Sequence, residues 1–77
     1  MKYNKHKIDA TRDKLNDAIE NCVIGHQAQR NRTIIKMHYI DGYTYEVIAE
    51  TMELSDRHVK KICYDNEPKI IEYLRAD

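Results

Sequence analysis

Residues 44–63 read TYEVIAETMELSDRHVKKIC, and this stretch decides the fold. Thr44 stands where a helix N-cap is needed, and Val47, Ile48, Ala49 and Met52 follow it with the spacing of one buried helical face. Ser55 repeats the capping chemistry, Asp56 sits in a first turn where its charge suits the helix dipole, and Val59, Ile62 and Cys63 carry the apolar stripe to about Asp65. Only Glu53, Leu54 and Ser55 separate the two helices. Ala49 falls at their crossing, where a small side chain lets the backbones approach, while Ile48, Met52, Leu54, Val59 and Ile62 supply an apolar seam. Two short helices on a three-residue turn, the second with a local cationic excess, make a helix-turn-helix pattern. An ordinary αα-hairpin in a helical bundle shares the helices and the turn and is the competing reading.

Outward from this stretch the helical period continues. Ile8, Leu15, Ala18, Ile19, Cys22 and Val23 fall mostly at steps of three, four and seven, which predicts a helix over Ile8–Ile24 stopped by Gly25. A second helix is expected over Asn31–Ile40, with Ile34, Met37 and Ile40 on one stripe, Ile35 and His38 beside it, and Asp41-Gly42 ending it. Pro68 is tolerated in a first turn and costly in an interior, so a break is expected near Asn66, with Asn66 as cap of a last helix carrying Ile70, Ile71 and Leu74. The expected fold class is all-α, a small helical domain of about five helices containing a helix-turn-helix. Its single domain, 1–77, divides into an N-terminal arm and helix (1–25), the core (30–66) and a C-terminal helix (67–77).

A chain of 77 residues leaves room for one modest core and not for a deep cleft between supporting layers. There is no carboxylate pair with a pocket, no nucleophile with a base and no phosphate-binding glycine loop, so an enzyme is not expected. No run approaches a membrane span, and the basic start has no apolar stretch after it, which points to the cytoplasm. Cys22 and Cys63 lack partners at metal-ligand spacing and read as reduced small hydrophobes; neither a metal nor a cofactor is expected.

Thirteen basic residues balance thirteen acidic ones, which argues against binding nucleic acid through bulk charge. The balance is uneven along the chain. Residues 1–40 hold eight Lys/Arg and four acids, residues 41–77 five and nine, and within the acidic half Arg57, Lys60 and Lys61 form a basic island after Glu46, Glu50 and Glu53.

The stretch from Arg32 to Ile62 resembles region 4 of bacterial sigma factors and the small sigma-like regulators of phages and prophages. The residues that carry the resemblance are Tyr39-Ile40-Asp41-Gly42-Tyr43-Thr44-Tyr45 before the helices, Val47-Ile48-Ala49-Glu50 in the first, and Leu54-Ser55 followed by Val59-Lys60-Lys61-Ile62 in the second. Two departures stand out: Glu53 occupies a position where the family often has glycine, and Asp65-Asn66-Glu67-Pro68 replaces an unbroken basic helix. The resemblance implies a DNA-binding domain without the length for promoter melting.

A helix in the major groove reads base edges from its N-terminal half and holds phosphates with flanking groups. Arg57 and Lys61, four apart and opposite Val59 and Ile62, are the expected base readers. Asp56 either accepts from a cytosine amino group or serves the dipole, the dipole being preferred. Lys60 and Tyr64 lie at the edge of the same surface for backbone or sugar, His58 between solvent and seam, and Thr44, Tyr45 and Ser55 at helix starts where backbone amides can face phosphate, Thr44 serving alternatively or also as a plain cap. Arg30, Arg32 and Lys36 form a candidate flank or plain solvated charge, and Lys2, Lys5 and Lys7 a trailing arm. The expected partner is double-stranded DNA, with RNA polymerase and a second copy in a homodimer as further candidates and no membrane. The leading expectation is a sequence-specific transcriptional regulator. A protein-interaction module docking on RNA polymerase or another host protein, and DNA recognition of the kind found in phage terminase small subunits, are the alternatives.

Overall fold

The structure, a computed structural model, describes residues 10–76. The expected arm of Lys2, Lys5 and Lys7 and the expected helix start at Ile8 lie outside the described residues. The described chain is all-helical, with α1 (Arg12–Cys22), α2 (Ala28–Tyr39), α3 (Tyr45–Met52) and α4 (Asp56–Ala76). Four helices therefore stand where about five were expected.

The difference lies at Pro68, which sits inside α4. An interior proline costs about 3 kcal/mol because it removes one hydrogen bond and crowds the carbonyl four residues back. Against this, the apolar stripe of Val59, Ile62 and Cys63 runs on through the fully buried Ile70, with Ile71, Tyr73 and Leu74 packed on the core. Each fully buried side chain of this size contributes roughly 1.5–3 kcal/mol, so continuity outweighs the defect. Asn66 is not a cap. It is buried in mid-helix, and its Nδ2 donates to the Ile62 carbonyl at 2.8 Å, which satisfies the amide inside the core.

The far half of α4 is held by α1. Tyr73 donates its hydroxyl proton to Asp17 Oδ2 at 2.8 Å and Cys22 Sγ lies 3.5 Å from the Lys69 carbonyl oxygen, so the two helices run antiparallel. Thr11 caps α1 by accepting from the Lys14 N–H, and the helix ends at Cys22, short of the expected Ile24, which is 70% exposed. Arg32 explains the early stop: its Nε donates to the Val23 carbonyl at 2.7 Å and ties the chain to α2. Arg32 and Lys36 also converge on Glu20, at 3.7 and 2.6 Å, so these cations clamp α1 to α2 and are not a free flank. The hydrogen bond from Lys36, followed by its charge, holds the Glu20 carboxyl below the usual carboxylate range. α2 begins at Ala28, before the expected Asn31, and buries Ile34, Ile35, His38 and Tyr39, while Met37 and Ile40 of the expected stripe are half-buried.

The crossing of α3 and α4 matches the sequence pattern. Ile48, Ala49, Val59 and Ile62 are buried, with Met52 and Leu54 packed against them; Val47, expected on the buried face of α3, is 43% exposed. The turn is closed by Glu53 in the left-handed region at φ 59°, with its N–H on Glu50 and the Leu54 N–H on the Ala49 carbonyl at 2.9 Å. A side chain bearing a Cβ in this conformation is strained. Glu53→Gly is therefore expected to stabilise the fold by about 1 kcal/mol, raising the thermal midpoint by roughly 4–8 °C in a melt followed by circular dichroism. An unchanged or lower midpoint would show that the turn stores no such strain.

Candidate nucleic-acid interface

Both helices of the motif are capped as their sequences require. Thr44 Oγ1 accepts from the Val47 N–H at 3.2 Å, and Ser55 Oγ accepts from the His58 N–H at 3.1 Å. The remaining first-turn N–H groups of α3 and α4 are thereby left pointing out of the helix starts, where an anion is favoured. Asp56 occupies the first turn of α4 and Glu46 that of α3. With Thr44, Tyr45 and Lys60 they line a shallow depression between the two helix starts.

Because Val59, Ile62 and Cys63 are drawn into the core, the opposite side of α4 is turned outward. Arg57, Lys60, Lys61 and Tyr64 are all exposed, Tyr64 to 57%. Arg57, Lys61 and Tyr64, at i, i+4 and i+7, share one stripe, with Lys60 beside it. Lys61 forms an exposed pair with Asp65 at 3.2 Å, whereas Arg57 makes no ion pair among the described residues. An exposed pair of this kind contributes about 0–1 kcal/mol, so Asp65 holds the Lys61 ammonium only weakly. His58, expected between solvent and seam, is exposed.

Tyr45 differs from the other eight sequence-derived positions, being half-buried. Its ring stacks on His38, with centroids 4.2 Å apart and planes 23° from parallel, and meets Tyr64 edge-on at 6.2 Å. Lys60 Nζ lies 5.9 Å from the centre of the same ring. Burial first, then the neighbouring Cys63 and Tyr64, pushes the Tyr45 hydroxyl well above its ordinary pKa, so at neutral pH it is protonated and can donate. Beneath this cluster, burial and then Glu67 push the Cys63 thiol up to about 12, which keeps it a neutral packing group.

His38 is the member that sequence reasoning placed only beside a stripe. It is 4% exposed, and its Nδ1 lies 2.8 Å from the Tyr43 carbonyl oxygen. The available signal was a histidine on an apolar helix face shortly before an Asp-Gly turn, which periodicity alone does not distinguish from a satisfied core residue.

Among the described residues there is no cluster of histidine, cysteine and carboxylate side chains able to hold a metal, and no helix long and apolar enough to cross a membrane. No curated protein and no solved structure matches the chain. The family model described as sigma-70, region 4 matches residues 28–62, a span that covers α2, α3 and the opening of α4 and stops before Asn66 and Pro68. Over residues 28–62 the chain is thus similar to region 4 of sigma-70, the helix-turn-helix likeness expected from its sequence.

Proposed function

We propose that the protein is a sequence-specific, double-stranded DNA-binding regulator of transcription, acting in the cytoplasm and of phage or mobile-element origin. The observation that carries this reading is the exposed Arg57–Lys61–Tyr64 stripe, set opposite the buried Val59–Ile62–Cys63 seam within a sigma region 4 helix-turn-helix. In this reading Arg57 and Lys61 read base edges, Lys60 and Tyr64 hold backbone or sugar, and Thr44, Tyr45 and Ser55 present helix starts to phosphate. Asp56 serves the α4 dipole, and His58 lies at the rim of the contact.

Neutralising four or five phosphates gives a log affinity that falls with log salt at a slope of about −4. Duplexes recovered by unbiased selection, titrated at several salt concentrations, supply the test. Absence of binding at roughly 50 mM salt, or a flat salt response, would exclude the reading.

A second reading rests on a different face. α3 exposes Glu46 and Glu50 at i and i+4, beside the exposed Val47, and the exposed Glu53 follows in the turn. This acidic surface suits a protein partner, RNA polymerase being the candidate that the family suggests. Recovery of such a partner from nuclease-treated lysate, unaffected by Arg57→Ala, would favour it over DNA.

A further inference from the structure

His38 lies in α2, outside the two helices of the motif, yet it touches both the linker and the first residue of α3. The linker from Ile40 to Thr44 turns through Gly42 at φ 84°. Its hydrogen bonds to α2 run from the Ile40 and Asp41 N–H groups to the Lys36 carbonyl and from the Tyr43 N–H to the Met37 carbonyl. These fix the start of the linker. The angle at which α3 leaves it depends on the Tyr43 carbonyl and the Tyr45 side chain, and His38 engages both.

A carbonyl oxygen only accepts, so Nδ1 carries a proton and donates it to the Tyr43 carbonyl at 2.8 Å. The same ring lies flat against Tyr45 at 4.2 Å, and Tyr45 in turn meets Tyr64 and underlies Lys60. Because the bond fixes the plane of the imidazole and the stack fixes Tyr45 against that plane, the start of α3 is held in register with the exposed face of α4. We propose that His38 is a positioning residue for nucleic-acid binding, which sets the presentation of Thr44 and Tyr45 relative to Lys60 and Tyr64 without touching the ligand itself. The proposal rests on the DNA-binding reading of the motif.

Three substitutions separate the two contacts. His38→Asn places an amide N–H where Nδ1 stands and lacks the ring; His38→Phe keeps a ring to stack and lacks the donor; His38→Ala lacks both. Each is measured at a temperature where melting shows it folded, by fluorescence anisotropy with a mixed-sequence duplex at roughly 50 mM salt, with the salt slope recorded. Tyrosine ring proton shifts are followed by NMR in the same samples. His38→Ala is expected to bind about tenfold more weakly and with a salt slope smaller by about one, as when a phosphate contact is lost. His38→Asn and His38→Phe should each recover part of that affinity, and the Tyr45 and Tyr64 ring signals should move in His38→Ala. Folded variants that bind with the parent's affinity and slope overturn the positioning role while leaving DNA binding intact. Ring signals identical to the parent's overturn it as well. A parent that does not bind the duplex at all overturns both readings together.

Discussion

Pro68→Ala is expected to stabilise the protein by about 2 kcal/mol, which at 4–8 °C per kcal/mol for a domain of this size raises the thermal midpoint by roughly 8–16 °C. Pro68 lies well inside α4 and has no N–H, so the Tyr64 carbonyl has no donor from the helical position four residues on. Alanine restores that donor and is the most favourable residue for a helix interior. The side chain at 68 is exposed, so the substitution leaves the buried stripe of Val59, Ile62, Cys63 and Ile70 as it is. Because the structure accommodates the proline without breaking the helix, the gain is set below the full 3 kcal/mol of the propensity scale. Thermal and urea unfolding of the two proteins provide the measurement. If the midpoint falls, or the variant loses helix content, then α4 depends on the proline in a way that its continuous buried stripe does not explain.

The same residue marks where reading the sequence and seeing the fold part company. Local rules identify Pro68 correctly as a poor helix residue and Asn66 correctly as a good cap. What they do not contain is α1 lying antiparallel along the far half of α4, with Tyr73 on Asp17 and Cys22 against Lys69, which makes the uninterrupted helix the lower-energy arrangement. That contact joins positions 56 residues apart, and no window of neighbouring residues reports it. The helix-turn-helix, by contrast, is specified locally. Thr44 and Ser55 cap the helices they precede, and Ala49, Ile48, Val59 and Ile62 are buried where their spacing places them. The exposed positions of α4 follow from that burial, since a helix that buries Val59 and Ile62 has to expose Arg57 and Lys61.

Partial failures in the site have the same origin. Val47 is apolar at helical spacing yet 43% exposed, because α3 is short and only α2 and α4 cover it. Tyr45 reads as a surface residue at a helix start and is half-buried, because His38 on α2 supplies a ring to stack on. Arg32 and Lys36 read as a cationic flank or plain solvated charge and are occupied by Glu20 and the Val23 carbonyl. In each case the side chain's chemistry was legible and its partner, on another helix, was not. The neutral net charge divides in the same manner: part of the excess base in the N-terminal half is paired between helices, and the bases of α4 lie on its exposed side.

Arg57→Ala is expected to weaken binding to a selected duplex by about 1–3 kcal/mol and to relax preference at one base position. Arg57 is the second residue of α4, on the outward stripe with Lys61 and Tyr64, and among the described residues no ion pair competes for its guanidinium. A guanidinium fork matches the two acceptors of guanine in the major groove, which an ammonium does not reproduce. Arg57→Lys should accordingly keep the salt slope and lose discrimination, whereas Lys60→Ala should weaken selected and mixed-sequence duplexes alike and reduce the slope by about one. Melting curves for all three are expected to stay close to the parent's, since exposed positions of this kind change stability by roughly 0.5 kcal/mol or less. The ratio of selected to mixed-sequence affinity is therefore the decisive quantity. Should Arg57→Ala preserve that ratio, base readout does not pass through the N-terminal half of α4, and the acidic face of α3 becomes the better guide to what this protein binds.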